Sequence, residues 1–140
     1  MYMDDSETPE MKKAFFKTAR GLVDENRKVR GVLDLNDENF DAFIKSHRGV
    51  VVSFWAPWCA SCHILSPMLE DLSLKYRGIS FVRVNFDESP LISSKYYITS
   101  LPTTLLFLDG QPIDRIVGVL PYETIERRIA WLNRKLYYSE

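Results

Sequence analysis

The chain has 140 residues, 46% of them hydrophobic and 26% charged, the composition of one globular domain large enough to bury a core. Its formal net charge is −1, so nothing global calls for a nucleic-acid partner, and no apolar run approaches the roughly 18 residues of a membrane helix. The acidic start MYMDDSETPE lacks the apolar stretch of a secretory or transit signal, and two cysteines three positions apart make no secreted disulfide scaffold; a cytoplasmic chain with no membrane partner is expected.

Residues 1–28 read as a helical extension. Thr8 is its cap, Pro9 its first helical position, and Glu10 complements the dipole. Met11, Phe15, Ala19, Leu22 and Val23 recur at helical spacing, while Lys12, Lys13, Lys17, Arg20, Arg27 and Lys28 make the remaining surface basic. The expected use of the apolar face is packing on the body of the domain, with docking on a partner or membrane surface as the alternative.

The domain proper is expected over residues 29–140. VRGVLDL (29–35) alternates as a short strand, and NDENFDAFIKS (36–46) reads as a helix capped by Asn36 or Asp37. GVVVSFW (49–55) is nearly all apolar and β-branched, as in a central strand covered on both faces. From Cys59 to about residue 76 a helix is predicted, with Leu65, Met68, Leu69, Leu72 and Tyr76 on one side and Pro67 as a kink. ISFVRVNF (79–86) is the next strand, and SPLISSKYY (89–97) a short helix with Ser89 as cap and Pro90 at its first position. TTLLFLDGQPIDRIVGV (103–119) holds two strands joined through Asp109–Gly110, a hairpin signal. The last helix starts near Pro121 and carries Ile125, Ile129, Leu132 and Leu136 on its apolar face. Strand–helix alternation ending in a hairpin predicts an α/β fold, a mixed sheet with helices on both faces.

WAPWCASCH (55–63) contains both cysteines and fits two chemistries: thiol–disulfide exchange by Cys-x-x-Cys, or c-type haem attachment by Cys-x-x-Cys-His. Cys59 follows a buried strand and opens a helix, where unpaired N–H groups and the dipole favour a thiolate. Cys62, a turn later and more enclosed, is expected to keep its proton and act second. His63 lies four residues after Cys59, where an imidazolium favours that thiolate further. Zinc fits poorly, because Cys59, Cys62 and His63 are too close together to supply a tetrahedral set and His47 is distant.

At these residues the sequence resembles the thioredoxin family. FWAPWCASC matches its Phe-Trp-Ala-x-Trp-Cys-x-x-Cys signature, Pro67 its kink proline, ITSLPTTLLF the segment with its cis-proline (here Pro102), and DGQPIDRIVGVLP its final hairpin with Gly118 beside the substrate groove. The resemblance covers about residues 29 to 138 and implies a thioredoxin fold preceded by the extra N-terminal helix. It implies a protein-disulfide reductase in which Cys59 attacks a client disulfide and Cys62 resolves the mixed disulfide. It also implies a groove where the backbone of Leu101 pairs with an extended client segment and Trp58, Leu101 and Val119 form the apolar rim. No metal and no cofactor beyond the Cys59–Cys62 redox pair is implied. The implied partners are disulfide-containing proteins and a thioredoxin-reductase-like electron donor, and the protein is expected to be monomeric. A disulfide oxidase or isomerase, or a groove that binds with little turnover, are the alternatives.

The sequence departs from the family pattern at three places. Ala60 and Ser61 stand between the cysteines in place of Gly-Pro or Gly-His. Ser53 stands where the family has a buried acid that takes the proton of the second cysteine, and Arg83 where it has the lysine paired with that acid; slower resolution by Cys62 is expected. The extension over residues 1–28 is the third.

Overall fold

The computed structural model describes residues 31–138. The expected extension, and the first two residues of the expected strand at 29–35, lie outside the described residues. The sheet has five strands: β1 (Val32–Leu35), β2 (Gly49–Trp55), β3 (Ser80–Asn85), β4 (Thr103–Leu108) and β5 (Gln111–Val117), in spatial order β1-β3-β2-β4-β5. β1 and β2 run parallel to β3; β4 is antiparallel to β2 and to β5. The helices are α1 (Phe40–Ser46), α2 (Ala60–Lys75), α3 (Pro90–Lys95) and α4 (Tyr122–Tyr138).

Side chains alternate across a strand, so β2 feeds two cores. Val50, Val52 and Phe54 join Phe40 and Ile44 of α1, Ile92 of α3, and Leu105 and Phe107 of β4 on one face. Val51 points the other way, into Leu65, Leu69 and Leu72 of α2, Phe81 of β3, Leu106 of β4, and Ile125, Ile129 and Leu132 of α4. Helix α4 is also fastened to the hairpin: Arg128 holds the Asp114 carboxylate through Nε and Nη2 at 2.7 and 2.8 Å, which draws that carboxyl below its ordinary range.

Three local details differ from the sequence reading. The helix expected over 36–46 begins only at Phe40. Asn36 accepts N–H bonds from Glu38 (2.9 Å) and Asn39 (3.2 Å), while Asn39 Oδ1 accepts from Asn36 N (2.7 Å), which closes a turn ahead of the regular helix. Asp37 is no cap for α1. Its carboxylate instead accepts the N–H groups of Leu91 (3.1 Å) and Ile92 (2.9 Å), at the start of α3. Ser89, the expected cap of α3, makes no side-chain capping bond, and the helix ends at Lys95, short of the expected residue 97.

A cap from across the chain ties α3 to the α1 segment, so its loss is expected to cost stability without touching the cysteines. Asp37→Ala should cost about 1 kcal/mol, lowering the midpoint of a thermal melt by about 3–6 °C. Asp37→Asn, which keeps an acceptor, should recover most of the loss.

Candidate active site

β2 ends at Trp55, and a tight turn delivers Cys59 to the N-cap of α2, with the N–H of Cys59 donating to Ala56 O at 3.1 Å. The helix therefore starts one residue later than the sequence suggests, and the Cys59 sulfur takes the place of a capping oxygen. It accepts the N–H of Cys62 at 3.2 Å, and the Ser61 hydroxyl lies 3.5 Å from it. Cys59 and Cys62 form a disulfide, with Cα atoms 5.3 Å apart. Their exposures are 6% and 4%, so the expected greater enclosure of Cys62 is slight. What distinguishes them is their surroundings: donors gather on Cys59, whereas Cys62 backs onto a cavity.

Leu101 and Trp55 pack against a small cluster made of Ala56, Cys59 and Cys62. The Leu101–Pro102 peptide is cis. The Pro102 carbonyl accepts the N–H of Gly118 at 2.8 Å, which joins this loop to the end of the hairpin, where Gly118 has φ +86°. Trp58 is 67% exposed and donates from Nε1 to Asp87 at 2.8 Å. Val119 is half-buried on the α2/α4 core, and Val117 presents more apolar surface. The His63 Nε2 is 2.9 Å from the Pro57 carbonyl, and its ring stands edge-on to Trp55 with centroids 6.3 Å apart. Its anchor is thus the loop ahead of Cys59.

Ser53 is buried on β2, in register with Arg83 of β3 and Thr104 of β4. With no acid at position 53, Arg83 pairs with Asp34 of β1 and lies 4.7 Å over the Trp55 ring. The space behind Cys62 is a cavity of 170 Å³, reaching from Ser53 to Glu70 and Arg83. No group of three or more His, Cys, Asp or Glu that could hold a metal ion occurs among the described residues.

Neither Asp87, 29 residues from its partner Trp58, nor the Pro57 carbonyl carries a local signal in the sequence. Ser61 stands out in the sequence as a departure between the cysteines, and its contact with the Cys59 sulfur gives the direction of its effect. A hydroxyl beside Cys59 favours the thiolate and hence the reduced form. Ser61→Ala should slow alkylation of reduced Cys59 by iodoacetamide about tenfold at neutral pH, the equivalent of ~1.5 kcal/mol for a hydrogen bond to an ion. The same variant should have a more negative reduction potential.

Comparison with known proteins agrees with this geometry. The thioredoxin family model matches residues 31–131. A thioredoxin of Staphylococcus aureus is 38% identical over 96 residues, which is 67% of this chain and 90% of that protein. The M-type chloroplastic thioredoxin of Spinacia oleracea is 38% identical over 99 residues, 69% of this chain but only 55% of that protein's length. The crystal structure of oxidised mitochondrial thioredoxin 3 from Saccharomyces cerevisiae superposes with a TM-score of 0.66 at 34% identity, over 71% of this chain and 93% of that one. With this fold and a Cys-x-x-Cys pair at the head of α2, the chain belongs to the thioredoxin family of thiol–disulfide oxidoreductases.

Proposed function

We propose that this chain works as a reductase of client-protein disulfides, with Cys59 as nucleophile and Cys62 as resolving thiol. The observation that carries the reading is the convergence of the Cys62 N–H and the Ser61 hydroxyl on the Cys59 sulfur at the N-terminus of α2. A thiolate formed there is stabilised by those donors and by the helix dipole. It attacks one sulfur of the client disulfide, whose S–S bond breaks to release a first client thiolate. The Cys62 thiolate then attacks Cys59 Sγ, forming the Cys59–Cys62 disulfide and releasing the second. Two electrons pass from the protein to the client.

Thioredoxins as a family act on disulfide-containing substrates and are re-reduced by thioredoxin reductase. A reductase of that kind is the proposed donor here, and a reducing compartment, the cytoplasm, the proposed setting for a monomer. In the proposed groove an extended client segment pairs with the backbone of Leu101, beside Pro102 and Gly118, while Trp58 and Val119 border it. Leu101 packing on the cysteine cluster and the Pro102–Gly118 bond support that arrangement. His63, in this reading, adjusts the protonation of the dithiol.

A second reading, a disulfide oxidase or isomerase, is favoured by Ser61, because a hydroxyl on the thiolate stabilises the reduced form.

Insulin reduction driven by dithiothreitol tests the main reading. The wild type should accelerate it, Cys59→Ser should abolish the acceleration, and Cys62→Ser should accumulate a mixed disulfide seen by mass spectrometry. Equal acceleration by Cys59→Ser would overturn the assignment. No acceleration by the wild type would favour a groove that binds with little turnover.

A further inference from the structure

We propose that His63 Nδ1 accepts the proton of Cys62 during resolution, in place of the carboxylate that other family members carry at position 53. The proposal rests on the reading of Cys62 as the resolving thiol.

The cavity behind Cys62 supplies the route. It is walled by Ser53 and Trp55 of β2 and by Cys62, His63, Ser66 and Glu70 of α2, and its volume is 170 Å³. A water needs about 10–15 Å³ of such space and two to four polar partners. The Ser53 and Ser66 side chains lie in the wall, and Trp55 Nε1 is a buried donor with no partner among the described residues. Val32 and Leu69 make the rest of the wall apolar, so the proposal places one water on these polar groups, between Cys62 and His63, which both line the space.

The choice of base follows from chemistry. A serine hydroxyl takes no proton near neutral pH, and Arg83 is a permanent cation. Glu70 is a carboxylate two helical turns beyond Cys62, about 12 Å along the helix axis, whereas His63 is the next residue in the chain. An imidazole is matched to proton transfer near neutrality. The Pro57 carbonyl only accepts hydrogen bonds, so the His63 Nε2 facing it at 2.9 Å carries the hydrogen. In the neutral ring the lone pair is then on Nδ1. The loop thus selects the tautomer that leaves this atom basic.

In the mixed disulfide, the Cys62 thiol passes its proton through the cavity to Nδ1. The resulting thiolate attacks Cys59 Sγ, the bond from Cys59 to the client sulfur breaks, and the Cys59–Cys62 bond forms. The client sulfur leaves as a thiolate with the electron pair of the broken bond, and the imidazolium returns its proton to solvent. The charged groups around this path are Glu70 on α2 and Arg83 on β3, the latter paired with Asp34 on β1.

The test uses the full reduced chain and dithiobis(nitrobenzoate), whose coloured thiolate is released twice, first by Cys59 attack and then by Cys62 resolution. His63→Gln keeps an N–H donor for Pro57 and lacks a basic nitrogen. The first release, which reads any influence of the imidazole on Cys59, should slow much less than the second. The second should slow by about tenfold or more at neutral pH, and its pH profile should lose the imidazole limb and follow thiol ionisation alone. Adding Ser53→Asp to His63→Gln should restore the second phase. The proposal fails if His63→Gln leaves the second phase unchanged, or slows both phases alike, which would make Cys59 the group it serves. It also fails if the second phase slows with an unaltered pH profile and Ser53→Asp restores nothing. A wild type that releases only one thiolate per chain would instead overturn the assignment of Cys62.

Discussion

Strand β2 is the constraint on which the rest depends. Every residue from Gly49 to Phe54 is buried, and its neighbours on both edges satisfy its backbone groups. Burial on both faces demands the apolar, β-branched run of Val50, Val51 and Val52, and the alternation along it assigns one set of side chains to α1 and α3 and the other to α2 and α4. Because the strand cannot shift by one residue without exchanging its two faces, its end is fixed. The fixed end sets where Cys59 meets the first turn of α2. The precision of the redox site is inherited from packing well below it.

On the α2/α4 side the sheet changes character along its length. One cross-strand row is apolar: Phe81, Val51 and Leu106 lie side by side. The next row toward the cysteines reads Asp34, Arg83, Ser53 and Thr104. Polarity begins where α2 brings Cys62 over the sheet, and Ser53 and Cys62 both line the cavity there. Arg83, with a serine beside it at position 53, pairs with Asp34 and covers Trp55. Proton handling behind the cysteines therefore falls to the groups that line the cavity, whereas the front of the site is built from Leu101, cis-Pro102 and Gly118.

The strands and the order of elements were legible in the sequence because each signal is local: a β-branched run, alternation, or an Asp-Gly hairpin. The cysteines and the cis-proline were legible through the resemblance, which supplied order and spacing as well as residue types. The rest depends on contacts between distant segments. Nothing near Asp37 reveals that it caps a helix 54 residues on, and nothing near Trp58 points to Asp87. The start of α1 was misplaced because Asn36 can cap a helix or close a turn, and the reciprocal bonds with Asn39 decide for the turn. Ser61 and His63 were visible as residue types, but their partners, the Cys59 sulfur and the Pro57 carbonyl, are set by how the loop folds.

The equilibrium reduction potential of the Cys59–Cys62 pair, followed by tryptophan fluorescence in dithiothreitol or glutathione buffers, tests the central claim most directly. Trp55 against the cysteine cluster makes the signal local to the site. A reductase requires a value closer to the roughly −270 mV of thioredoxin than to the roughly −180 mV of protein disulfide isomerase. A potential at or above the latter would contradict the account and make the chain a donor of disulfides.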